Sequence, residues 1–284
     1  MREVTFPTGS CGQRHGPVLL VTLRFMTRVE GVLFDIDGVL VTSWQPVPGA
    51  VEALDEIRGR GGVRAFLTNT TSRTCDEIAS VLASFGFDVR SEEIVTAARL
   101  TTEYLRSTYP GARVMLLNDG DISADMPDIE LDDLDPEVIV IGGAGPEFTH
   151  AALSRVLDLM VAGVPAVAMH RALMWSESDG LQLDTGAYLP GIEEASGSRI
   201  VSVGKPSLTG FLTAAELMGV DPAATVMVGD DFRNDVLPAQ RVGMTGVLVR
   251  TGKFRQPILD LAVDRPDHLV DSVADLPQLL TEIG

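Results

Sequence analysis

The sequence contains little cysteine, few aromatic residues and a shortage of positive charge. Its two cysteines, Cys11 and Cys75, form no closely spaced pair, so neither a disulfide framework nor a zinc site is indicated, and a reducing, cytoplasmic setting is expected. Lysine and arginine number 22 against 40 acidic residues, which gives a formal net charge of −18. The resulting negative field disfavours nucleic acid and anionic membranes as partners. Any phosphate group that this protein handles must therefore meet positive charge that is concentrated locally.

The start of the chain lacks a hydrophobic run with the form of a targeting segment. The longest run there, Pro17 to Leu23, ends at Arg24 without a small-residue cleavage pattern, so neither a signal peptide nor a membrane span is predicted. Residues 1–25 carry no helical or strand period. We expect them to form a poorly ordered tail, with Met26 as an alternative translation start that the mass of the native protein would test.

The pattern that is present is that of an α/β protein. A content of 45% hydrophobic residues is typical of a soluble globular chain. From Met26 onward, short β-branched runs alternate with helical patterns, which predicts βαβ units and a parallel sheet. Helices are predicted after a capping box of Thr74 and Glu77 and over Ala151–Met160. The acidic, turn-rich segment from Asp119 to Asp135 is expected to be a solvated loop. The predicted strands are Gly31–Asp35, Val63–Leu67, Val114–Leu117, Val138–Ile141, Ala166–Met169, Ile200–Val203, Thr225–Val228 and Gly246–Val249.

The most informative segment places two carboxylates, Asp35 and Asp37, at the end of a predicted buried strand. Two like charges in an apolar setting require that one is protonated or that a cation neutralises them, and an oxygen-ligated cation such as Mg²⁺ is the simplest solution. The alternative is an acidic turn that arises by chance in a chain with 40 acidic residues. The placement at a strand end favours a functional site.

Three further polar blocks end predicted strands, which is where open α/β sheets bind their ligands. Thr68 and Asn69 offer hydroxyl, amide and backbone donors for phosphoryl oxygens, or else belong to a capped Ser/Thr-rich loop. Lys205 provides a point charge for a phosphoryl group or a nucleophile, or else is an ordinary solvated lysine. Asp230 and Asp235 complete a metal site, or else place negative charge at a helix N-terminus. The four blocks together favour a single site.

In chain order, DIDGVL from Asp35, TNT from Thr68, GKP around Lys205 and GDDxxxD from Gly229 resemble the four motifs of the haloacid dehalogenase-like phosphatases. The resemblance spans residue 29 to the C-terminus. It implies that Asp35 is the nucleophile, that Asp37 is the general acid/base, and that Thr68 and Lys205 hold the phosphoryl group. The Mg²⁺ ligands that it implies are the carboxylates of Asp35 and Asp230 and the backbone carbonyl of Asp37, with Asp235 nearby or bridging through water.

The spacing of the motifs predicts an inserted domain. Asp37 and Thr68 are 31 residues apart, whereas Thr68 and Lys205 are 137 apart. A βαβ crossover needs only about 30 residues, so the excess after Thr68 holds a second α/β domain. We place the tail at 1–25, a catalytic core at 26–90 and 191–284, and a cap at 91–190. The expected fold is α/β, a Rossmann-like core with a parallel sheet and an inserted α/β cap.

A cap in this position resembles subfamily IIA of the same superfamily, the NagD-like phosphatases with a C2-type cap. Three segments carry a finer resemblance, Ile141–Ala144, Ala168–His170 and Asp179–Tyr188. They look most like the caps of two groups in this branch, the haloacid dehalogenase-like hydrolase domain-containing protein 2 group and the phospholysine phosphohistidine inorganic pyrophosphate phosphatase group. A small phosphorylated molecule is the implied substrate.

Specificity is expected to reside in the cap, because the core motifs touch only the phosphoryl group. His170, Arg171 and the loop from Gly186 to Tyr188 are candidates, with Arg73 as a rim contact. For His170 a polar end to a cap strand is the favoured alternative. The sequence leaves open nucleotides, sugar phosphates, glycerol phosphate, pyrophosphate and phosphorylated amino acids as substrates. A homo-oligomer formed through the cap is also expected.

Two other classes of function compete with a phosphatase. One is a phospho-ligand-binding protein that keeps the fold without turnover. The intact acids, threonine and lysine argue against it, since a degenerate member is expected to lose Asp35 or Asp37. The other is a purely structural α/β domain, which would require that four polar clusters at strand ends are a coincidence.

Overall fold

A computed structural model describes residues 28–42, 45–177 and 180–284 of the chain. The expectations about the tail at 1–25 and the start at Met26 lie outside the described residues. The strands are β1 (Gly31–Phe34), β2 (Val41–Thr42), β3 (Gln45–Pro46), β4 (Val63–Thr68), β5 (Ile94–Thr96), β6 (Val114–Leu117), β7 (Val138–Ile141), β8 (Ala166–Ala168), β9 (Met174–Glu177), β10 (Gly180–Leu183), β11 (Val201–Ser202), β12 (Thr225–Gly229), β13 (Thr245–Val249) and β14 (His268–Val270).

Helices alternate with these strands, as the hydrophobic periods predict. They are α1 (Ala50–Gly59), α2 (Cys75–Ser84), α3 (Ala97–Thr108), α4 (His150–Val161), α5 (Leu189–Ser196), α6 (Leu208–Met218), α7 (Leu237–Arg241), α8 (Gln256–Leu261) and α9 (Leu276–Ile283). The predicted capping box begins α2, where the Thr74 hydroxyl accepts from the Glu77 N–H and the Glu77 carboxylate accepts from the Thr74 N–H. Such reciprocal bonds satisfy two donors that an uncapped helix leaves unpaired.

The larger sheet has six parallel strands in the order β14-β13-β12-β1-β4-β5. Its central strand β1 is buried along its whole length, which is why its sequence is continuously apolar rather than alternating. Helices cover both faces, and separate apolar clusters fill the two layers. The carboxyl ends of β4, β1 and β12 therefore lie side by side at one edge.

The smaller sheet has four parallel strands in the order β11-β8-β7-β6. Its strands are inserted in sequence between β5 and β12 of the larger sheet. The predicted α/β fold, a Rossmann-like core with an inserted α/β cap, is confirmed. Antiparallel hairpins join β2 to β3 and β9 to β10. Among the helices described here, none is long and apolar enough to cross a membrane.

Sheet membership moves the domain limits that we expect from the motif spacing. β5 lies inside the expected cap at 91–190 but pairs with β4 of the core sheet. β11 lies inside the expected core segment at 191–284 but pairs with β8 of the cap sheet. The reason is that both are two- or three-residue strands whose apolar character fits either sheet, so long-range pairing alone assigns them. The cap sheet thus begins after β5 and ends with β11.

The acidic segment from Asp119 to Asp135 is not simply a solvated loop, which corrects the expectation. Ile122, Asp125 and Met126 are buried within it. The Asp125 carboxylate accepts hydrogen bonds from the Cys75 backbone N–H at 3.0 Å and from the Thr96 hydroxyl at 3.1 Å. It thereby ties the cap to the first turn of α2 and the start of α3. Apolar residues flanking a buried acid were the signal that the charge-based prediction overlooked.

This junction predicts an unreactive thiol. Burial, together with the charge of Asp125 and a hydrogen bond to it, raises the pKa of Cys75 to about 12. In a Cys11→Ser variant, we expect an electrophilic thiol reagent at pH 8 to leave the folded protein almost unlabelled, since the thiolate is the reacting form. After unfolding in guanidinium, labelling should be rapid. Fast labelling of the folded variant would contradict the burial of this side chain.

Candidate active site

Polar side chains from three adjacent strands meet at the carboxyl edge of the core sheet. Asp35 follows β1, Thr68 ends β4, and Asp230 follows β12. A buried apolar segment leads into each of these residues at the end of its strand, so the strand fixes the position of that residue. Asp35, Thr68 and Asp230 are all buried. The structure therefore brings together acids that are about two hundred residues apart in sequence.

Lys205 reaches this edge from the cap sheet, because it follows β11 rather than a core strand. Its ammonium lies 2.6 Å from Asp35 Oδ1 and 2.8 Å from Asp235 Oδ1. Burial lowers the pKa of Lys205, but the two carboxylates outweigh burial and hold the pKa well above its usual value. Lys205 is therefore a permanent cation that is locked between two acids, and it is not a solvated surface lysine.

The side chain of Asn69, for which we predict a phosphate contact, is bonded to Lys205 in the structure. Its side-chain amide donates to the Lys205 carbonyl at 2.9 Å, and its side-chain oxygen accepts from the Lys205 N–H at 2.9 Å. Because both ends of the amide are used by one residue, Asn69 positions Lys205 across the two sheets. Thr68 stays available, since the hydroxyl bonds that it makes with described residues lie within the same loop, to Thr70.

Asp37 lies beside the nucleophile candidate but is only half-buried. Desolvation raises the pKa of Asp37, and the cations Lys253, Lys205 and Arg73 oppose this in part. A carboxyl group with a raised pKa holds a proton more readily and can donate it to a leaving group. The carboxylate of Asp35 is instead oriented, since its Oδ1 accepts from the Ile36 N–H at 2.8 Å as well as from Lys205.

The donor set fits a divalent cation that binds oxygen. Asp35, Asp230 and Asp235 each offer a carboxylate oxygen, and these atoms lie within 4.8 Å of one another. Asp230 Oδ1 is buried and has no hydrogen-bond partner among the described residues. Burial and repulsion from the other two acids raise the pKa of Asp230 to about 8, and burial, against the pull of Lys205, raises that of Asp235 to about 6. An unpartnered buried oxygen in an acidic cluster is what a bound Mg²⁺ would satisfy.

Sequence reasoning missed a loop that closes over these acids. The Lys253 backbone N–H donates to Asp230 Oδ2 at 2.6 Å, and the Thr251 hydroxyl donates to the Gly38 carbonyl. Gly38 and Gly252 both have positive φ, and a Cβ on either would collide with the Asp230 carboxylate. Close approach of two backbones to one acid therefore requires glycine at both positions. The paired glycines are a weak sequence signal that could have indicated it.

The cap candidates are placed mainly in packing roles. His170 is buried at the end of β8, and its Nδ1 accepts from the Ala172 N–H at 3.2 Å. Burial lowers the pKa of His170, against the opposing effect of Asp184. A polar end to a strand, the favoured alternative for His170, accounts for these contacts. Arg171 pairs with Glu193 at 2.7 Å.

The two remaining candidates, the loop from Gly186 to Tyr188 and Arg73, differ in what they contact. The Gly186 backbone packs against the Arg171 carbonyl so closely that no side chain fits between them, and the Tyr188 ring lies 5.6 Å from that of Phe148. Arg73 is different, because its charge acts on Asp37. Of the four candidates outside the motifs, Arg73 is thus the one with an electrostatic link to the site.

Comparisons with known proteins agree with this geometry. A haloacid dehalogenase-like hydrolase family model matches residues 32–131, and a related HAD-hydrolase-like model matches residues 202–276. Haloacid dehalogenase-like hydrolase domain-containing protein 2 from Homo sapiens is 37% identical over 227 residues, which cover 80% of this chain and 86% of that protein. Phospholysine phosphohistidine inorganic pyrophosphate phosphatase from Mus musculus is 32% identical over 261 residues, 90% of this chain and 95% of that protein.

Solved structures give the same result. NagD from E. coli K-12 superposes with a TM-score of 0.80 at 28% identity, covering 88% of this chain and 98% of the other. The p-nitrophenyl phosphatase from Archaeoglobus fulgidus superposes with a TM-score of 0.82 at 26% identity, covering 89% and 100%. The chain therefore belongs to the haloacid dehalogenase-like hydrolases, in their NagD-like phosphatase branch. The resemblance inferred from the four motifs is confirmed.

Proposed function

We propose that this protein is a Mg²⁺-dependent phosphatase that forms an aspartyl-phosphate on Asp35. One observation carries the proposal: Asp35, Asp230 and Asp235 present oxygens within 4.8 Å of one another, with Lys205 bonded to two of them. In such a site a phosphoryl group meets a nucleophile and concentrated positive charge together. A bound Mg²⁺, held by these carboxylates and the backbone carbonyl of Asp37, would neutralise charge on the phosphoryl oxygens and align the group.

The chemical roles follow from how each side chain is held. Asp35, oriented by Lys205 and the Ile36 N–H, attacks phosphorus in line with the leaving oxygen. Asp37 gives its proton to that oxygen as the bond to phosphorus breaks, which leaves the phosphoryl group on Asp35. Asp37 then takes a proton from the water that attacks the aspartyl-phosphate, and inorganic phosphate departs. Acid/base help of this kind typically contributes about 10²- to 10⁴-fold.

The remaining site residues hold charge and position. Lys205 stays protonated throughout, since two carboxylates contact it, and it offsets the charge that develops on the transferred group. Thr68 places a hydroxyl and the start of a loop at the same edge. Asn69 keeps Lys205 in place through two bonds to its backbone.

The core and the cap have different roles in the proposed function. Core residues surround the chemistry, and the inserted sheet from β6 to β11 acts as the cap that meets the rest of a small phosphorylated substrate. The names of relatives point to phosphoamino acids, pyrophosphate and aryl phosphates as classes to test. A homo-oligomer through the cap and a cytoplasmic location complete the proposal. The net charge of −18 supports the absence of nucleic acid and membrane partners.

The function is tested by phosphate release from a panel of small phosphate esters, phosphoamidates and pyrophosphate. We expect turnover of at least one class with Mg²⁺ and a loss to background in excess EDTA, because the acidic cluster then lacks its counter-charge. Refilling with Mg²⁺ should restore the rate. If a folded protein that binds Mg²⁺ releases no phosphate from any substrate of the panel, the phospho-ligand-binding alternative would be favoured. Full activity in EDTA would exclude the metal-dependent mechanism.

A further inference from the structure

The loop after β13 places a second lysine next to the acid cluster. The backbone N–H of Lys253 donates to Asp230 Oδ2 at 2.6 Å, and the preceding Gly252 packs directly on Gly38, in the loop that follows the nucleophile. The Thr251 hydroxyl also donates to the Gly38 carbonyl. Three successive residues thus fasten this loop to the acid cluster, so the place from which the Lys253 side chain starts is fixed by the backbone.

Lys205 and Lys253 are held in contrasting ways. Lys205 is buried, and its ammonium is used by two carboxylates. Lys253 is exposed, and its ammonium makes no ion pair with any residue in the described part of the chain. Partial desolvation lowers the pKa of Lys253, but the carboxylates of the site outweigh it, so the pKa lies above its ordinary value. Lys253 is therefore charged and available to an incoming anion.

The balance of charge in the site suggests a role for Lys253. The three clustered carboxylates of the site, those of Asp35, Asp230 and Asp235, carry up to three negative charges. Lys205 and a divalent cation balance those three charges. A phosphoryl dianion then needs positive charge beyond that balance, and Lys253 is an exposed cation whose charge already acts on Asp35 and Asp37.

We propose that Lys253 is a substrate-binding residue, whose ammonium binds the phosphoryl dianion beside the acid cluster while its backbone N–H orients Asp230. The inference rests on the proposed phosphatase function and deepens it. The ammonium and the backbone N–H of Lys253 then have separate roles. Side-chain substitutions remove the cation and leave the backbone hydrogen bond to Asp230 in place. The side chain should then strengthen the binding of phosphate and should not strengthen the binding of Mg²⁺.

The test uses Lys253→Met beside Lys253→Arg, with Arg250→Gln as a matched control. Arg250 is exposed in the same region and pairs with Asp271 at 2.9 Å, so its loss changes the net charge by the same unit away from the acids. Calorimetric titration of inorganic phosphate into the Mg²⁺-loaded protein should show affinity weakened about tenfold in Lys253→Met, the size expected for one close, solvent-screened charge. Lys253→Arg and Arg250→Gln should bind phosphate nearly as the unaltered protein does.

Titration of Mg²⁺ into the metal-free protein supplies the opposite expectation. Lys253→Met should bind Mg²⁺ as tightly or more tightly, because a repelling cation is removed. Damage to the loop would weaken both ligands, and that result would overturn the proposal, as would phosphate affinity within about twofold of the unaltered protein. If the unaltered protein turns over a panel substrate, either of these two results would refute only the role of Lys253. If the unaltered protein shows neither turnover nor phosphate binding, the proposed function would be refuted as well.

Discussion

Replacement of Asp35 by Asn should abolish phosphate release while the fold is kept. The amide has nearly the size of the carboxylate, and its oxygen can still accept from the Ile36 N–H, which reaches Asp35 Oδ1 at 2.8 Å. A neutral amide is a poor nucleophile, so the covalent step is lost. Removal of a nucleophile that acts as part of a unit costs on the order of 10⁴-fold or more in kcat. Rates on the best panel substrate, with Mg²⁺ at saturation, measure the loss.

Asp264→Asn is the matched control for this variant. Asp264 is exposed, and its carboxylate has no hydrogen bond or ion pair with the described residues, so the same chemical change there should leave kcat and KM unaltered. Circular dichroism and a thermal scan check that Asp35→Asn is folded. A folded Asp35→Asn protein that keeps more than about a tenth of the wild-type rate would refute the assignment of the nucleophile.

Lys205→Met should cost the protein about 3–5 kcal/mol of unfolding free energy in EDTA. The substitution leaves Asp35 and Asp235 buried next to each other without their shared cation, and removing one partner from a buried ion pair has about this cost. Mg²⁺ should recover part of the loss, because a ligand that binds only the folded state stabilises it. Denaturant unfolding with EDTA and with Mg²⁺ gives both numbers. Activity should be lost in either condition.

Lys253→Met is a useful comparison for stability. It also removes one lysine from the site, but this ammonium is exposed and makes no ion pair with a described residue. We therefore expect a change of less than about 1 kcal/mol, the range of an exposed charge. Equal stability of Lys205→Met and the unaltered protein in EDTA would mean that the two acids are not held by Lys205 as the structure has it.

Much of the core could be predicted from the sequence, because its strands are local signals. Apolar runs that lead into a polar residue mark β1, β4 and β12, and β6 and β7 match their predicted bounds. Sheet membership was less accessible. The run around β11 resembles a core strand, yet it pairs with β8 of the cap, and β5 is too short to stand out. Pairing between distant segments decides both, and hydrophobic period alone carries no information about it.

Some site residues could likewise be predicted from the sequence, and others could not. Acids at strand ends are visible in sequence because polar residues interrupt apolar runs, as at Asp35 and Asp230. The role of Asn69 was not visible, because its partner lies 136 positions away. Lys253 was missed for a related reason: it contributes a backbone N–H, and every residue type except proline carries one.

Direct trapping is the sharpest test of whether Asp35 carries the phosphoryl group. Asp37→Asn with an aryl phosphate is the pair to use, since the variant keeps the nucleophile and lacks the base that activates water for the second step. The aryl leaving group departs without the proton that Asp37 would give in the first step. Substrate is mixed with this variant and Mg²⁺, quenched in acid, reduced with borohydride, and mapped by peptide mass spectrometry. We expect aspartate to be converted to homoserine at position 35 and at no other acid of the site. Conversion at Asp230 or Asp235, or turnover with unmodified Asp35 throughout, would contradict it.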